Sequence, residues 1–432
     1  MKFLQNFPLF PQIRKLYSKG DQPFWAIASQ ALTSGGNFLT TIIIVQSVGL
    51  TVFGRFSITF LTMMVVRSFL VGMLLTPMSV IGPKLHSTSD AAYRGFLLAN
   101  AVSMSLVISI VLYVAFSLYG YLMGVEWLFD VALGLGLANF TNNLADFFRR
   151  YEFSRSRAVR AFWIDFFRYA TQLWLFLALS TIWLDWFTPQ TALYAVAGGG
   201  LAACFAGAFC YGNFDRNRAL NQIMWLRHWN FVKWVSPGVA LESIHGMGPL
   251  FIGAALLGEA TLGSVRMIQQ LANILNLPIN ALQQIVPAKA ARKFQQSGLE
   301  GLVYLLTRFL LGGLSLLVVS CAAILLGWEQ ICDLLFKSQE SELLIIFVLY
   351  ALLNFETLFK QLLFVFFHSI ENPRVYLEAG FIAAVVSIVA IFPMTSIWGA
   401  YAIPASLIAG STAVILFLGL RVNQSFSGKH PI

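Results

Sequence analysis

Long apolar runs separated by short polar loops dominate this chain. They lie near residues 24–48, 56–82, 95–118, 127–147, 161–184, 191–212, 235–257, 267–288, 301–327, 342–368, 375–393 and 397–420. An α-helix of about 20 apolar residues crosses the roughly 30 Å hydrocarbon core of a bilayer. The runs are continuous and lack a period of two, which favours helices over barrel strands. We therefore predict an all-α integral membrane protein with twelve transmembrane helices, here called spans one to twelve.

Composition agrees with this prediction. Of 432 residues, 58% are hydrophobic and 11% are charged, and the mean hydropathy is +0.74. Soluble domains carry about 25% charged residues. The four cysteines form no CxxC pair, and the chain has no Walker motif, no GxSxG and no sizeable soluble domain. We predict no zinc site, no resident cofactor and no ATP-driven pump within this chain.

Basic residues fall in alternate loops, which predicts the orientation. One side receives Lys2, Arg14, Lys15, Lys19, Lys84, Arg94, Arg149, Arg150, Arg155, Arg157, Arg160, Arg216, Arg218, Arg227, Lys233, Lys289, Arg292, Lys293, Arg374, Arg421 and Lys429, whereas the opposite loops hold little beyond Arg55, Arg266 and Lys337. Both termini are therefore predicted to be cytoplasmic. Because this asymmetry explains most of the net charge of +9, no nucleic-acid partner is needed. The first span has no small-residue cleavage site and is predicted to be retained.

A weak internal repeat divides the chain. At an offset of 209 residues, GLTVFG (Gly49 to Gly54) falls on GEATLG (Gly258 to Gly263), each in the outer turn after the first span of a half. Six spans per half predict a parallel repeat about an axis along the membrane normal. We predict an N-terminal lobe over 1–212, a cytoplasmic linker over 213–233 and a C-terminal lobe over 234–432, with the two lobes around a central cavity.

Span eight carries a stripe of amides at helical spacing, with Pro278 inside it. The stripe consists of Gln269, Asn273, Asn276, Asn280 and Gln284. Amides facing lipid are costly, so the stripe is predicted to face a watery cavity and bind substrate, or else to bridge neighbouring helices. Pro278 is predicted to kink the helix.

Span one carries a weaker stripe, formed by Gln30, Ser34, Asn37 and Thr41. Arg67 lies within span two, and the offset of 209 pairs it with Asn276 in the repeat. An arginine at this depth needs a partner or water. Arg67 is predicted either to grip a pyrophosphate with two hydrogen bonds or to form a structural ion pair.

Other ionisable residues lie inside spans. Glu242 and His245 are three apart on one face of span seven, which suggests a proton or cation site or, alternatively, a structural couple. Asp165 with Arg168, and Glu356 with Lys360, are spaced as structural ion pairs within their own helices.

Two motifs carry a resemblance to a known family. ALTSGGNFLTTIIIVQSVGLTVFGRFSITF at residues 31–60 and DFFRRYEFSRSR at residues 146–157 resemble bacterial polysaccharide exporters of the multidrug/oligosaccharidyl-lipid/polysaccharide (MOP) superfamily. The chain lacks the two further C-terminal helices usual in peptidoglycan-precursor flippases. It also lacks the acidic residue that many drug antiporters of the superfamily carry in the first span.

The resemblance implies a Wzx-like flippase with a MATE-like fold in the bacterial cytoplasmic membrane. Such a protein moves polyprenyl-diphosphate-linked oligosaccharide outward by alternating access, beside glycosyltransferases and a polysaccharide polymerase. We expect Arg67, Gln30, Asn37, Gln269, Asn273, Asn276 and Asn280 to bind substrate, and Glu242 and His245 to couple transport to a proton or sodium gradient, if the membrane potential alone does not drive it. A cation-coupled drug or metabolite exporter is the main alternative. An enzyme is disfavoured because the longest outer loop, about residues 328–341, is short.

Overall fold

The structure is a computed structural model that describes residues 22–82, 87–212, 218–335, 340–370 and 374–426, and all regular structure in these ranges is helical. In chain order the helices are α1 (Gln22–Leu70), α2 (Thr76–Ile81), α3 (Ser87–Met123), α4 (Glu126–Ser154), α5 (Ala158–Thr181), α6 (Pro189–Tyr211), α7 (Arg218–Leu257), α8 (Glu259–Ala272), α9 (Asn276–Leu326), α10 (Trp328–Leu335), α11 (Glu340–Ser369), α12 (Arg374–Trp398) and α13 (Ala402–Phe426). Seven helical stretches among the described residues are long and apolar enough to cross a membrane. The predicted all-α membrane class is confirmed.

Two of these helices each hold more than one predicted span. In α1 the helix is interrupted at Gly49, with φ 81° and ψ 177°, between spans one and two. In α9 it is interrupted at Gly298, with φ 61° and ψ −157°, between spans eight and nine. Because a positive φ is costly for residues with a Cβ atom, glycine at these positions permits the kink between the two spans.

The chain folds into two compact units. The first comprises the residues up to Thr40 together with Leu70–Lys233, and the second comprises Thr41–Phe69 together with the chain from Trp234 onward. The boundary after Lys233 is where the predicted linker ends. From Arg218 that linker is the first part of α7, while residues 1–21 and 213–217 lie outside the described residues.

In the first unit, α4 packs between α3 and α6, and α5 also packs against α6. The helix α6 begins at Pro189, and Thr188 caps it: its Oγ1 accepts from the Thr191 backbone N–H, while the Thr191 hydroxyl accepts from the Thr188 N–H. This arrangement satisfies two polar groups that a helix end otherwise leaves open. A core of aromatic residues, among them Tyr93, Phe96 and Phe147, joins α3 to α4.

In the second unit, α11 packs against α8, α9 and α13, and α12 packs against α13. Large apolar side chains remain exposed on the outer helix surfaces of both units, including Phe209 in α6 and Leu326 in α9. Exposed apolar patches of this extent are unfavourable in water. They fit helices whose outer faces contact lipid.

The two repeated turns pack directly against each other within the second unit. Gly258, with φ 90° and ψ 167°, has nearly the same backbone conformation as Gly49, its equivalent at the offset of 209. A Cβ atom on Gly54 would lie 1.9 Å from the Glu259 carbonyl oxygen, and one on Gly263 would lie 2.4 Å from the Leu50 carbonyl oxygen. Leu50 and Glu259 are also equivalent at this offset, so the contact between the two turns is symmetric. Thr41–Phe69, which the sequence assigns to the N-terminal lobe, thus folds with the second unit.

Candidate functional site

Asp165 in α5 is one of the buried carboxylates of the first unit, and its side chain is 1% exposed. It accepts a hydrogen bond from Arg149 Nε in α4 at 2.7 Å and another from the Ser29 hydroxyl in α1. The predicted pair of Asp165 with Arg168 is wrong, because Arg149 of the adjacent helix binds this carboxylate. Arg168 instead donates to the Asn142 side chain in α4.

Side-chain hydrogen bonds join the first part of span one to α5. Besides the Ser29 hydroxyl on Asp165, the Gln172 amide donates to Thr40 Oγ1 at 2.9 Å. Of the predicted substrate residues here, Gln30 is half-buried and its amide lies 3.5 Å from Ser34 Oγ. Asn37 is also half-buried and has an interaction partner of its own.

The segment DFFRRYEFSRSR forms the end of α4 and the turn after it. Its charged side chains form ion pairs within the protein. Arg150 Nε lies 3.1 Å from Asp146 Oδ2, and Arg155 pairs with Asp90 of α3. The Glu152 carboxylate is 1% exposed, and the guanidinium groups of Arg157 and Arg160 lie 3.8 and 3.9 Å from it. Burial raises the pKa of Glu152, although the nearby arginines partly oppose this effect. This basic segment is therefore held by internal pairs.

A charged cluster lies in the second unit. Lys360 in α11 is 5% exposed, and its Nζ donates to Glu242 Oε1 in α7 at 3.2 Å. The predicted pair of Lys360 with Glu356 is wrong, since Glu356 Oε1 accepts from the Thr412 hydroxyl of α13 at 2.6 Å. Both side chains of α11 bind partners across helices instead of each other, because helix packing brings these partners nearer than the next turn.

The predicted coupling residues Glu242 and His245 contact different neighbours. Glu242 is 39% exposed and faces Lys360, whereas His245 is buried, with Nδ1 3.2 Å from the Ser387 hydroxyl of α12. Glu242 and His245 remain within electrostatic range of each other. The cluster thus joins a carboxylate, an imidazole and an ammonium group, and the role of Glu242 and His245 in proton or cation coupling stays a prediction.

The amides of span eight hydrogen-bond to one another along the helix. Asn276 Nδ2 donates to Asn273 Oδ1 at 3.2 Å, and Asn273 Nδ2 donates to Gln270 Oε1 at 3.1 Å. Gln269 Oε1 accepts from Arg266 Nη1. All of these amides are half-buried. The side chains of the two remaining members of the stripe lie outside the described residues: Asn280 and Gln284.

The helix of span eight is interrupted, as Pro278 predicts. A 3-10 turn over Asn273–Leu275 separates α8 from α9. Pro278 has no N–H to donate to the carbonyl of Ile274, which lies within that turn. The interruption therefore falls among the predicted substrate-binding amides. Across the 3-10 turn, their side chains depart from regular α-helical spacing.

The predicted site residues fall in both units, with Gln30 and Asn37 in the first and the others in the second. Arg67 lies near the end of α1, is half-buried and has an interaction partner. The sequence did not predict the contacts of Asn142 and Gln172, although Asn139, Asn142 and Asp146 are spaced as a polar stripe on span four. It also placed Arg266 in an outer loop, whereas the structure buries this residue in α8, with 6% exposure.

Comparison with solved structures identifies the fold. An inward-facing multidrug resistance MATE family transporter of the MOP superfamily has a TM-score of 0.69 and 15% identity, over 95% of this chain and 96% of that chain. An outward-facing structure of such a transporter has a TM-score of 0.64 and 16% identity, over 96% of both chains. A MOP superfamily transporter from Pyrococcus furiosus, described as having a binding pocket of reversed polarity, has a TM-score of 0.69 and 14% identity, over 94% of this chain and 95% of that chain.

No family model matches the sequence, and no curated protein matches it. Identities this low show the fold alone. The chain is therefore an all-helical, multi-pass membrane protein with the twelve-helix, two-lobe fold of the MATE transporters of the MOP superfamily.

Proposed function

We propose that this protein is a flippase that moves a polyprenyl-diphosphate-linked oligosaccharide to the outer leaflet of a bacterial cytoplasmic membrane. Its fold is similar, over almost the whole chain, to transporters solved in inward-facing and outward-facing states. That similarity supports alternating access, in which a substrate site opens to one side of the membrane at a time.

The charged residues inside the helices favour an anionic substrate. The carboxylates of Asp165 and Glu242 are already paired with Arg149 and Lys360. Arg168, by contrast, donates to the neutral side-chain amide of Asn142. Among the described residues, no ion pair joins the Arg168 guanidinium to a carboxylate, and a positive charge in this position favours a diphosphate over a cationic drug.

The half-buried amides provide the second part of the proposed site. A glycan headgroup has many hydroxyl groups, and each loses hydrogen bonds to water when it enters the membrane. Amides replace these bonds because each donates and accepts. Asn273 and Asn276 would exchange their hydrogen bonds to neighbouring amides for bonds to sugar hydroxyls, while the prenyl chain stays in lipid.

The energy source need not be a nucleotide. Outward movement of an anion down an inside-negative potential releases about 2.3 kcal/mol per charge per 100 mV. Glycosyltransferases on the cytoplasmic side would supply the substrate, and a polymerase on the outer side would consume it. Both termini would then be cytoplasmic, as the basic loops predict.

Transport by the purified protein in liposomes tests this proposal. A labelled polyprenyl-diphosphate glycan is placed in the inner leaflet, and its arrival outside is measured with and without an imposed potential. We expect Arg67→Ala to reduce the rate at least about tenfold, since a charge-assisted contact contributes about 1.5–3 kcal/mol.

The matched control is Arg308→Ala, because Arg308 is exposed on α9 and stacks on Tyr304 at 6.0 Å. Undiminished glycan movement by the Arg67 variant would remove Arg67 from the site. No glycan movement by the unaltered protein, in either orientation of the potential, would contradict the flippase function itself.

A cation-coupled drug or metabolite exporter is the second candidate, and the exposed carboxylate of Glu242 beside His245 favours it. In that case Lys360 would hold Glu242 until a proton or cation takes its place. Glu242→Gln would then abolish drug efflux by cells while glycan export continues. Loss of glycan export without any drug phenotype would instead support the flippase.

A further inference from the structure

Arg266 is a buried arginine that the proposed transport pathway does not use. It lies in α8, where Val265, Met267 and Ile268 are buried as well, so the helix is covered on several sides at this level. One guanidinium nitrogen, Nη1, donates to Gln269 Oε1. Its Nε is buried and has no hydrogen-bond partner among the described residues.

Tyr350 in α11 faces the same region with a second unsatisfied group. Its side chain is 2% exposed, and its hydroxyl is buried without a hydrogen-bond partner in the described part of the chain. Tyr350 and Arg266 are within electrostatic range of each other. The packing of α8 against α11 therefore brings two unsatisfied polar groups into one buried region.

A neighbouring amide fixes this junction. Asn354, one turn after Tyr350, is 7% exposed, and its Nδ2 donates to the Ala272 carbonyl oxygen at 3.2 Å and to the Tyr350 carbonyl oxygen at 3.0 Å. Ala272 is the last residue of α8. The backbone of α11 is thus tied to the end of α8 beside the two unsatisfied groups.

No carboxylate in the described part of the chain forms an ion pair with Arg266. Tyr350 is an ionisable group within electrostatic range of it. Arginine does not give up its proton in proteins, so the site cannot become neutral by deprotonation. Buried charges are otherwise paired, and buried N–H groups are otherwise hydrogen-bonded, because isolation from water is costly.

We propose that Arg266 and Tyr350 bind a small monovalent anion of the chloride class between α8 and α11. The anion would accept hydrogen bonds from Arg266 Nε and from the Tyr350 hydroxyl, which together satisfy the charge and both donors. A lipid diphosphate with its glycan is too large for a region in which both side chains are more than nine-tenths buried. The site therefore does not admit the lipid-linked glycan itself, and it stabilises the junction of α8 with α11.

Anion titration of the purified full-length protein tests the proposal. The thermal midpoint Tm is followed by tryptophan fluorescence while chloride replaces gluconate at constant ionic strength. We expect a saturable rise in Tm of about 2–6 °C. Arg266→Met should abolish the rise, and Tyr350→Phe, which removes only the hydroxyl, should weaken chloride binding at least about fivefold.

Arg308→Met and Tyr304→Phe are the matched controls, since both residues are exposed on α9 and contact each other. They should keep the full chloride response. A wild-type Tm that does not depend on chloride would overturn the proposal. So would an unchanged response in Arg266→Met, or a larger response to phosphate than to chloride.

A direct measurement covers the case in which Arg266→Met does not fold. Crystals of the unaltered protein grown in bromide should show an anomalous peak at hydrogen-bond distance from Arg266 Nε and the Tyr350 hydroxyl. Bromide density elsewhere, with none at this position, would contradict the assignment. Neither result bears on glycan movement in liposomes, so this proposal and the flippase function fail independently.

Discussion

The contact between Gly54 and Gly263 gives the sharpest test of how the repeated turns pack. An alanine at position 54 places its methyl carbon 1.9 Å from the Glu259 carbonyl oxygen and 2.6 Å from the Glu259 carbonyl carbon. An alanine at position 263 meets the Leu50 carbonyl oxygen at 2.4 Å. Both obstacles are backbone atoms, so no change of a side-chain rotamer relieves them.

The cost of each substitution follows from this geometry. Ordinary van der Waals contact begins near 3.4 Å, so each methyl group forces the turns apart by an ångström or more. Overpacking of this kind costs about 1–3 kcal/mol. A cost of this size reduces the population in which the two turns are in contact about 5- to 150-fold relative to the population in which they are apart.

Cross-linking measures this separation. Arg55 Nε and Glu259 Oε2 form an ion pair at 2.6 Å across the same contact. Cysteines at these two positions, in a background with the four native cysteines replaced, should cross-link quickly with a short bifunctional reagent. Adding Gly54→Ala or Gly263→Ala should slow this reaction at least about fivefold, in line with that shift in population.

The matched control is Gly35→Ala in the same helix α1, because a Cβ atom there meets nothing within 4 Å. Its cross-linking rate should equal that of the parent protein. If Gly54→Ala and Gly35→Ala react at the same rate, the close approach of the two turns is refuted.

Two further predictions concern ion pairs of the first unit. Asp165→Asn leaves Arg149 without its buried partner and should reduce the free energy of unfolding in denaturant titration by about 3–5 kcal/mol. The control Arg421→Gln, which removes an exposed partner of Glu378 in the second unit, should reduce it by no more than about 1 kcal/mol. Equal losses would show that burial does not decide the effect. Burial raises the pKa of Glu152 in the folded protein, so its contribution to stability is complete below the pKa of an unfolded glutamate and is lost as pH rises through the raised pKa. Glu152→Gln should therefore make Tm less dependent on pH above about pH 4.3, the pKa of an unfolded glutamate, and an unchanged pH profile would contradict this.

Much of the fold follows from hydropathy and backbone chemistry along the chain. Apolar runs of bilayer length predict helices wherever they occur, since a backbone in lipid must satisfy its own hydrogen bonds. Glycine at positions 49 and 258 predicts two equivalent turns, and both adopt the same left-handed backbone conformation. Pro278 likewise predicts the interruption of span eight.

The sequence did not predict which side chains pair between neighbouring helices. Spacing by three or four residues places Asp165 beside Arg168, and Glu356 beside Lys360, on one helix face. The structure pairs the two acids with Arg149 and Thr412 instead. A long side chain in a membrane helix reaches whichever partner the neighbouring helix presents, and local spacing carries no information about that neighbour.

The sequence by itself determined the membrane class, the span pattern and the repeated glycine turns, because these depend on hydrophobic length and on backbone conformations that single residues permit. Only the tertiary structure decided which charges are neutralised. It pairs Glu242 with Lys360 and buries Arg266 beside Tyr350, although the basic-loop pattern places Arg266 at the membrane surface. The physical reason is that the cost of a charge depends on the water and the partners around it, and helix packing sets both.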